Sequence, residues 1–220
     1  MKVAHFDEIE PIRVVGGELE WRPLRRTLGI QAFGINAYTA NADGLVVEEH
    51  DETGAGAGHH EELYVVVRGH ATFTVDGEEI DAPAGTCIFL DDPKERRAAR
   101  AVEDGTTVLA IGGTRGKAFE VSPWEFAFAA VPAWEAERYD ESAALLREGL
   151  ELHPGNASLL YNLACAEAVS GEKEAALEHL RGALEDPRFR EYAESDEDFA
   201  SLRDDPRFAA LLATTGRPED

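Results

Sequence analysis

Residues 63–90 read LYVVVRGHATFTVDGEEIDAPAGTCIFL. Leu63–Val67 is a continuous apolar run, long enough for a strand buried on both faces. Ala71-Thr72-Phe73-Thr74-Val75 then alternates strictly, which places Ala71, Phe73 and Val75 on one face of a strand. Asp76-Gly77 follows at once, the strongest short-range signal for a hairpin. Glu78–Asp81 is the return strand. Pro83-Ala84-Gly85 makes the next turn, and Thr86–Leu90 the next strand. Upstream, Ile12–Val15, Leu28–Thr39 and Leu45–Glu49 are further strand candidates. Downstream, Thr107–Ile111 is closed by Gly112-Gly113. Many short strands at a spacing of ~8–12 residues argue for a sandwich or barrel.

The second half changes period. Between about Val121 and Pro132 the chain is aromatic and irregular, and is expected to be a packed connector. From Trp134 onward the pattern is helical. Ala143, Leu146 and Leu150 recur at spacings of three and four. Pro154-Gly155 breaks that helix and Asn156 caps the next. Leu159, Leu160, Leu163, Ala164 and Ala168 form its apolar stripe. Ala176, Leu177, Leu180 and Leu184 mark a third helix. Ser195-x-x-Asp198 is the expected cap of a fourth. The helices repeat: Leu146 falls on Leu180, Leu150 on Leu184 and Glu151 on Glu185. That period of 34 is the length of a tetratricopeptide repeat.

The 220 residues carry 44 acidic and 21 basic side chains, a formal charge of -23. Both halves are acidic. Such a surface repels phosphate backbones and anionic lipid, so neither nucleic acid nor a membrane is an expected partner. No apolar stretch approaches the ~18–20 residues of a membrane span. The N-terminus lacks the apolar run of a signal peptide. Cys87 and Cys165 lie in differently patterned halves, so a disulfide is not expected and the reducing cytoplasm is the expected compartment.

Residues 54–113 resemble a cupin domain. The likeness rests on Glu62 and Gly69, separated by the six residues that follow the family's metal-ligand Glu. It rests also on the turns at Asp76-Gly77 and Pro83–Gly85. The resemblance implies a double-stranded β-helix whose mouth holds one divalent metal (Zn, Mn or Fe) in many members. The family's His-x-His pair is missing. Instead His59 and His60 directly precede Glu61-Glu62. His60 and Glu62, two apart, share a face if both lie in a strand. The implied ligand set is therefore His60 and Glu62, completed by His50 or His59, with His50 the first choice. At the family's fourth ligand position stands Arg96, or Arg97 if the loop shifts by one. An arginine is no metal ligand, but its planar fork suits an anionic molecule. Arg96, Arg97 and Tyr64 are the candidate ligand-binding residues.

The segment around residues 134–187 resembles tetratricopeptide repeats. Pro154 falls at the inter-repeat proline, and Leu160 and Glu167 replace the hallmark Trp and Tyr. The expected architecture is α+β multidomain: a cupin-like β-barrel over residues 1–120, the connector over 121–133 and a tetratricopeptide-like helical region over 134–220. The degraded ligand set favours a small-molecule-binding or regulatory protein with a helical protein-interaction tail, not an enzyme. The alternatives are a metal-dependent isomerase, lyase or oxygenase acting on a small anionic substrate, and a purely structural adaptor. The resemblance also implies a homodimer. Gly54–Gly58 is expected to form a mobile lip over the barrel. Cys87 is expected inside a strand as a buried apolar residue.

Overall fold

The structure is a computed structural model that describes residues 1–54 and 57–213. Two positions of the expected lip, Ala55 and Gly56, lie outside the described residues. The chain divides into two compact units, Met1–Ser122 and Pro123–Asp220.

The first unit contains β1 (Ile12–Val14), β2 (Leu19–Arg22), a short helix α1 (Leu24–Leu28), β3 (Gly34–Ala40), β4 (Leu45–His50) and β5 (Glu61–Arg68). It continues through β6 (His70–Val75), β7 (Glu78–Pro83), β8 (Cys87–Leu90), β9 (Arg97–Ala101) and β10 (Thr106–Gly113). The strands pair in the order β7-β6-β9-β4-β2-β3-β10-β5-β8, with β1 on β2. One half is β3-β10-β5-β8 and the other β4-β9-β6-β7, with β2 bridging them. Each half interleaves early and late strands, which is the pairing of two Greek keys in a jelly roll. The sheet curls so that its halves face each other. The Tyr64 and Phe73 rings meet across the interior at 5.5 Å. Val46, Val66, Phe73, Ala99 and Val108 fill the space between.

Local chemistry accounts for the turns. Asp76 and Gly77 both take positive φ, 49° and 87°, as the tightest hairpin turn requires. Gly69 has φ +75°, and a Cβ there would lie 2.5 Å from Thr106 Oγ1. Only glycine fits the corner between β5 and β6.

Several expectations are corrected. β5 is buried on one face only: Tyr64 and Val66 point inward, while Val67 is 37% exposed. Residues 28–33 are not strand, because the turn of helix α1 runs into Gly29 in the left-handed region. Cys87 is exposed, since it shares the outward face of β8 with Phe89. β2 and β9 are additional strands.

The second unit is helical: α2 (Pro123–Glu135), α3 (Tyr139–Leu152), α4 (Ala157–Ser170), α5 (Lys173–Ala183), α6 (Arg188–Ser195) and α7 (Pro206–Ala213), with a 3-10 turn over Glu197–Leu202 before the last. The stretch from Val121 to Pro132, expected to be an irregular connector, is mostly helix, and the helices of this unit begin at Pro123, not near Trp134. Its aromatic residues obscure a helical face on which Phe126, Ala130 and Ala133 are buried. Asn156 caps α4 by accepting from the Leu159 N–H at 3.1 Å. The cap expected at Ser195 is instead Asp196, which accepts from the Asp198 N–H at 3.1 Å. Leu180, Phe199 and Leu202 are fully buried in the core of this unit. Glu167 is also buried, held between Arg147 of α3 at 2.8 Å and His179 of α5 at 2.7 Å. His179 is thus a packing residue that holds Glu167 in place.

Candidate functional site

Polar side chains gather at one end of the curled sheet. β5 supplies Glu62 and Tyr64, which alternate inward with period two. β4 ends in His50, and β9 begins with Arg97, which pairs with His50 in register. Glu52 follows β4, and His60 immediately precedes β5. On β10, Gly112 pairs with both Glu62 and Gly34. A Cβ at Gly112 would lie 3.3 Å from Glu62 Cγ and 3.4 Å from His60 Cβ. The glycine leaves room for both side chains on the same side. Gly58 does the same for the His60 ring, which a Cβ there would overlap at 2.1 Å from Nε2.

Glu62 is the hub. Its Oε2 accepts from the Tyr64 hydroxyl at 2.5 Å, lies 2.9 Å from Arg97 Nη2 and lies 3.8 Å from His50 Nε2. The Arg97 side chain is 0% exposed. Its Nη1 donates to the Glu95 carbonyl at 2.8 Å. The contact of Nη2 with Glu62 is an ion pair whose alignment falls short of a hydrogen bond, and Nε has no partner among the described residues. On β3, the side-chain carbonyl of Asn36 is likewise buried without a partner. Asn36 and Tyr64 flank Ala110 on β10 at the same level.

His50 Nδ1 lies 2.7 Å from the Glu48 carbonyl, which can only accept, so Nδ1 carries a hydrogen. Nε2 therefore faces the acids, 3.7 Å from Glu52 Oε1 and 3.8 Å from Glu62 Oε2. Burial pushes the His50 imidazole down, but Glu62 and the Glu48 carbonyl outweigh it and hold the group above its usual value. Burial pushes the Glu62 carboxyl up, while His50, Tyr64 and the Arg97 charge more than compensate and hold it below the ordinary carboxylate range. The Tyr64 hydroxyl is raised well above its normal value, by burial first and then by the Glu62 charge.

Arg96 and Arg97 part company because neighbours on a strand point to opposite faces. Arg96 is on the surface, with Nε donating to Glu49 at 2.6 Å. His59 is exposed at positive φ, 51°. His60 is buried and faces Glu52, Nδ1 to Oε2 being 3.7 Å, with Phe119 against its ring at 5.8 Å. Glu52 escaped the sequence reading. Its Oε2 accepts from the Gly58 N–H at 3.0 Å, so one buried carboxylate ties the end of β4 to the approach to β5. The available signal was His50-x-Glu52, two residues on one side of an extended chain.

His50 Nε2 and one oxygen each of Glu52 and Glu62 lie within 4.8 Å of one another. By count that matches a three-ligand centre. Glu62, however, already meets Tyr64 and a guanidinium that cannot give up its charge. Arg97 brings to Glu62 the positive charge a divalent ion would bring, so the residues present do not fit such an ion.

No family model matches the chain, and no curated protein does. Among solved structures, a cupin protein of Bacteroides fragilis aligns at 21% identity over 56% of this chain and 88% of that one, with a TM-score of 0.39. A "predicted oxalate decarboxylase" of Thermotoga maritima aligns at 18% over 50% and 97%, TM-score 0.41. A sugar phosphate isomerase from a cupin superfamily, from Silicibacter pomeroyi, aligns at 16% over 50% and 74%, TM-score 0.42. Likeness at that level carries no argument about activity. On its strand order, the first unit is a curled, cupin-like double-stranded β-helix.

Proposed function

We propose that the β unit binds a small, uncharged polar molecule at the Glu62 cluster, without a divalent metal, as a binding or regulatory protein. The helical unit, with its tetratricopeptide-like period, serves a protein contact. The observation that carries the reading is Arg97. Its charge is matched by Glu62, yet its Nε and the Asn36 carbonyl remain buried without partners. Buried polar groups are normally satisfied, so an unmatched donor and acceptor on the inward faces call for a ligand that offers both. A hydroxyl-rich or amide-bearing molecule does so. An anion does not suit the site: Arg96 and Arg97 already sit on carboxylates, and the chain as a whole carries -23.

The test is titration of chelator-treated protein with Zn²⁺, Mn²⁺ and Fe²⁺, followed by a panel of monosaccharides beside their uronic acids. We expect no stoichiometric metal uptake, and sugars preferred over the acids, with Asn36→Ala and Tyr64→Phe weakened. Stoichiometric metal lost in His50→Ala and Glu52→Gln would overturn the reading and restore a metal-dependent enzyme.

A further inference from the structure

The helical unit holds a second cluster that the β unit's chemistry does not touch. A cavity of about 280 Å³ opens between α2, α3, α4 and the turn that carries Asp196 and Asp198. Val131, Trp134 and Leu146 form an apolar wall. Asp196, Asp198, Ser142 and Asn162 also line it.

The two carboxylates are neighbours: an oxygen of each lies within 4.8 Å of the other and of Cys165 Sγ. Asp196 is fixed, accepting from the Tyr161 hydroxyl at 2.7 Å. Among the described residues, no lysine, arginine or histidine pairs with either carboxylate; Arg203 reaches only the Asp196 backbone carbonyl, at 3.2 Å. Ser142 is 2% exposed, lines the cavity, and its hydroxyl bonds to no described residue. The Asn162 amide, also on the cavity, bonds to none. Burial and the facing Asp196 raise the Asp198 carboxyl, as expected where two acids share a site without a cation.

These groups describe a complement. The negative end needs a compact positive charge, and an ammonium's three donors can choose among four acceptors, Asp196, Asp198 and the oxygens of Ser142 and Asn162. The apolar wall needs an aliphatic stem. A metal ion uses none of the apolar wall, and Cys165 Sγ, which lies beside both carboxylates, would have to lose its proton to ligate one.

We propose that this cavity binds a primary alkylammonium group. Its source is a free amine or the lysine side chain of a peptide, and the two are told apart by the ligand that binds more tightly.

Calorimetry on the full chain tests this with n-butylammonium, the peptide Ac-Ala-Lys-Ala-NH2, n-butanol and Zn²⁺. We expect one-to-one binding of the ammonium ligands, weakened by salt, and none of n-butanol. Asp198→Asn should weaken binding at least about tenfold, as loss of one partner of a charged contact does. Asn162→Ala, which removes no charge, should weaken it several-fold and decides the matter if Asp198→Asn misfolds. Glu151→Gln, an exposed acid on α3, should change nothing. Tighter peptide than amine binding points to a lysine source, and the reverse to a free amine. The proposal is overturned if neither ammonium binds, if both variants bind like wild type, or if Zn²⁺ alone binds and is lost in Asp198→Asn.

Discussion

Each unit holds a cluster of acids, and the two clusters are compensated in opposite ways. In the β unit, Glu62 is surrounded by Arg97, Tyr64 and His50, and its carboxyl is held low. In the helical unit, Asp198 faces another carboxylate with no base beside it, and its carboxyl is held high. The first cluster is electrically complete and has only neutral hydrogen-bonding capacity to spare. The second is incomplete by one positive charge. Charge accounting of this kind separates the two sites more sharply than burial does, since both contain deeply buried side chains.

The largest expected effect breaks the first cluster. Arg97→Met leaves Glu62 buried without its counter-charge and should cost about 3–5 kcal/mol of stability. The double change Arg97→Met with Glu62→Gln should recover most of that loss, because the stranded charge is gone. Asp198→Asn in the other unit should be neutral or slightly stabilising, since it removes a charge that no cation among the described residues offsets. Urea denaturation of the three variants checks the contrast. A costly Asp198→Asn, or an Arg97→Met as stable as wild type, would show that the two clusters are not opposites.

Much of this arrangement was open to a sequence reading, and what was missed has physical causes. The inward set of β6 follows from its period-two alternation before Asp76-Gly77, and helix α4 from Asn156 and its apolar stripe, whereas the continuous apolar run of β5 hides which of its faces is inward. His60 and Glu62 carry a spacing that a reader can follow. Glu52 carries only its place two residues after His50, and its partners, Gly58 and His60, lie six and eight residues on. β9 has the sequence Arg-Ala-Ala-Arg-Ala, with no β-branched or aromatic residue to mark it, so the inward turn of Arg97 and outward turn of Arg96 stayed ambiguous. The Asp198 cavity was invisible, since α2 was not recognised as a helix and the cavity needs its wall.

Glycine sharpens the comparison at a smaller scale. In the β unit Gly112 makes room for polar side chains. In the helical unit Gly149 lets helices touch: a Cβ there would lie 2.9 Å from Phe126 Cβ and 2.9 Å from Leu159 Cδ1. Gly149→Ala relieves backbone entropy in α3 but overpacks that contact, and should cost about 1–3 kcal/mol. Gly112→Ala meets its neighbours only at 3.3–3.4 Å and should cost less, while disturbing ligand affinity at the Glu62 cluster. Thermal melts read the first, and sugar titration the second.

The smallest effect is a difference in slope with pH, and it opposes the two units. The Glu62 carboxyl is lower in the folded chain than in the unfolded one, where it titrates near ~4.3. Its contribution is present above that value and is lost as pH falls through the lowered folded value, because the unfolded state then binds more protons. Asp198 is the reverse. Its folded value is raised above the ~3.9 of an unfolded aspartate, so the folded state holds the proton more tightly. Stability is lost as pH rises from ~3.9 through the raised value. Denaturation series between about pH 3 and 6 on wild type, Glu62→Gln and Asp198→Asn isolate the two contributions. The advantage of wild type over Glu62→Gln should shrink as pH falls. Relative to Asp198→Asn, wild type should instead gain ground as pH falls. Slopes of the same sign for both variants would mean that Asp198 is compensated after all, and that the charge deficit distinguishing the helical cavity from the β-unit cluster does not exist.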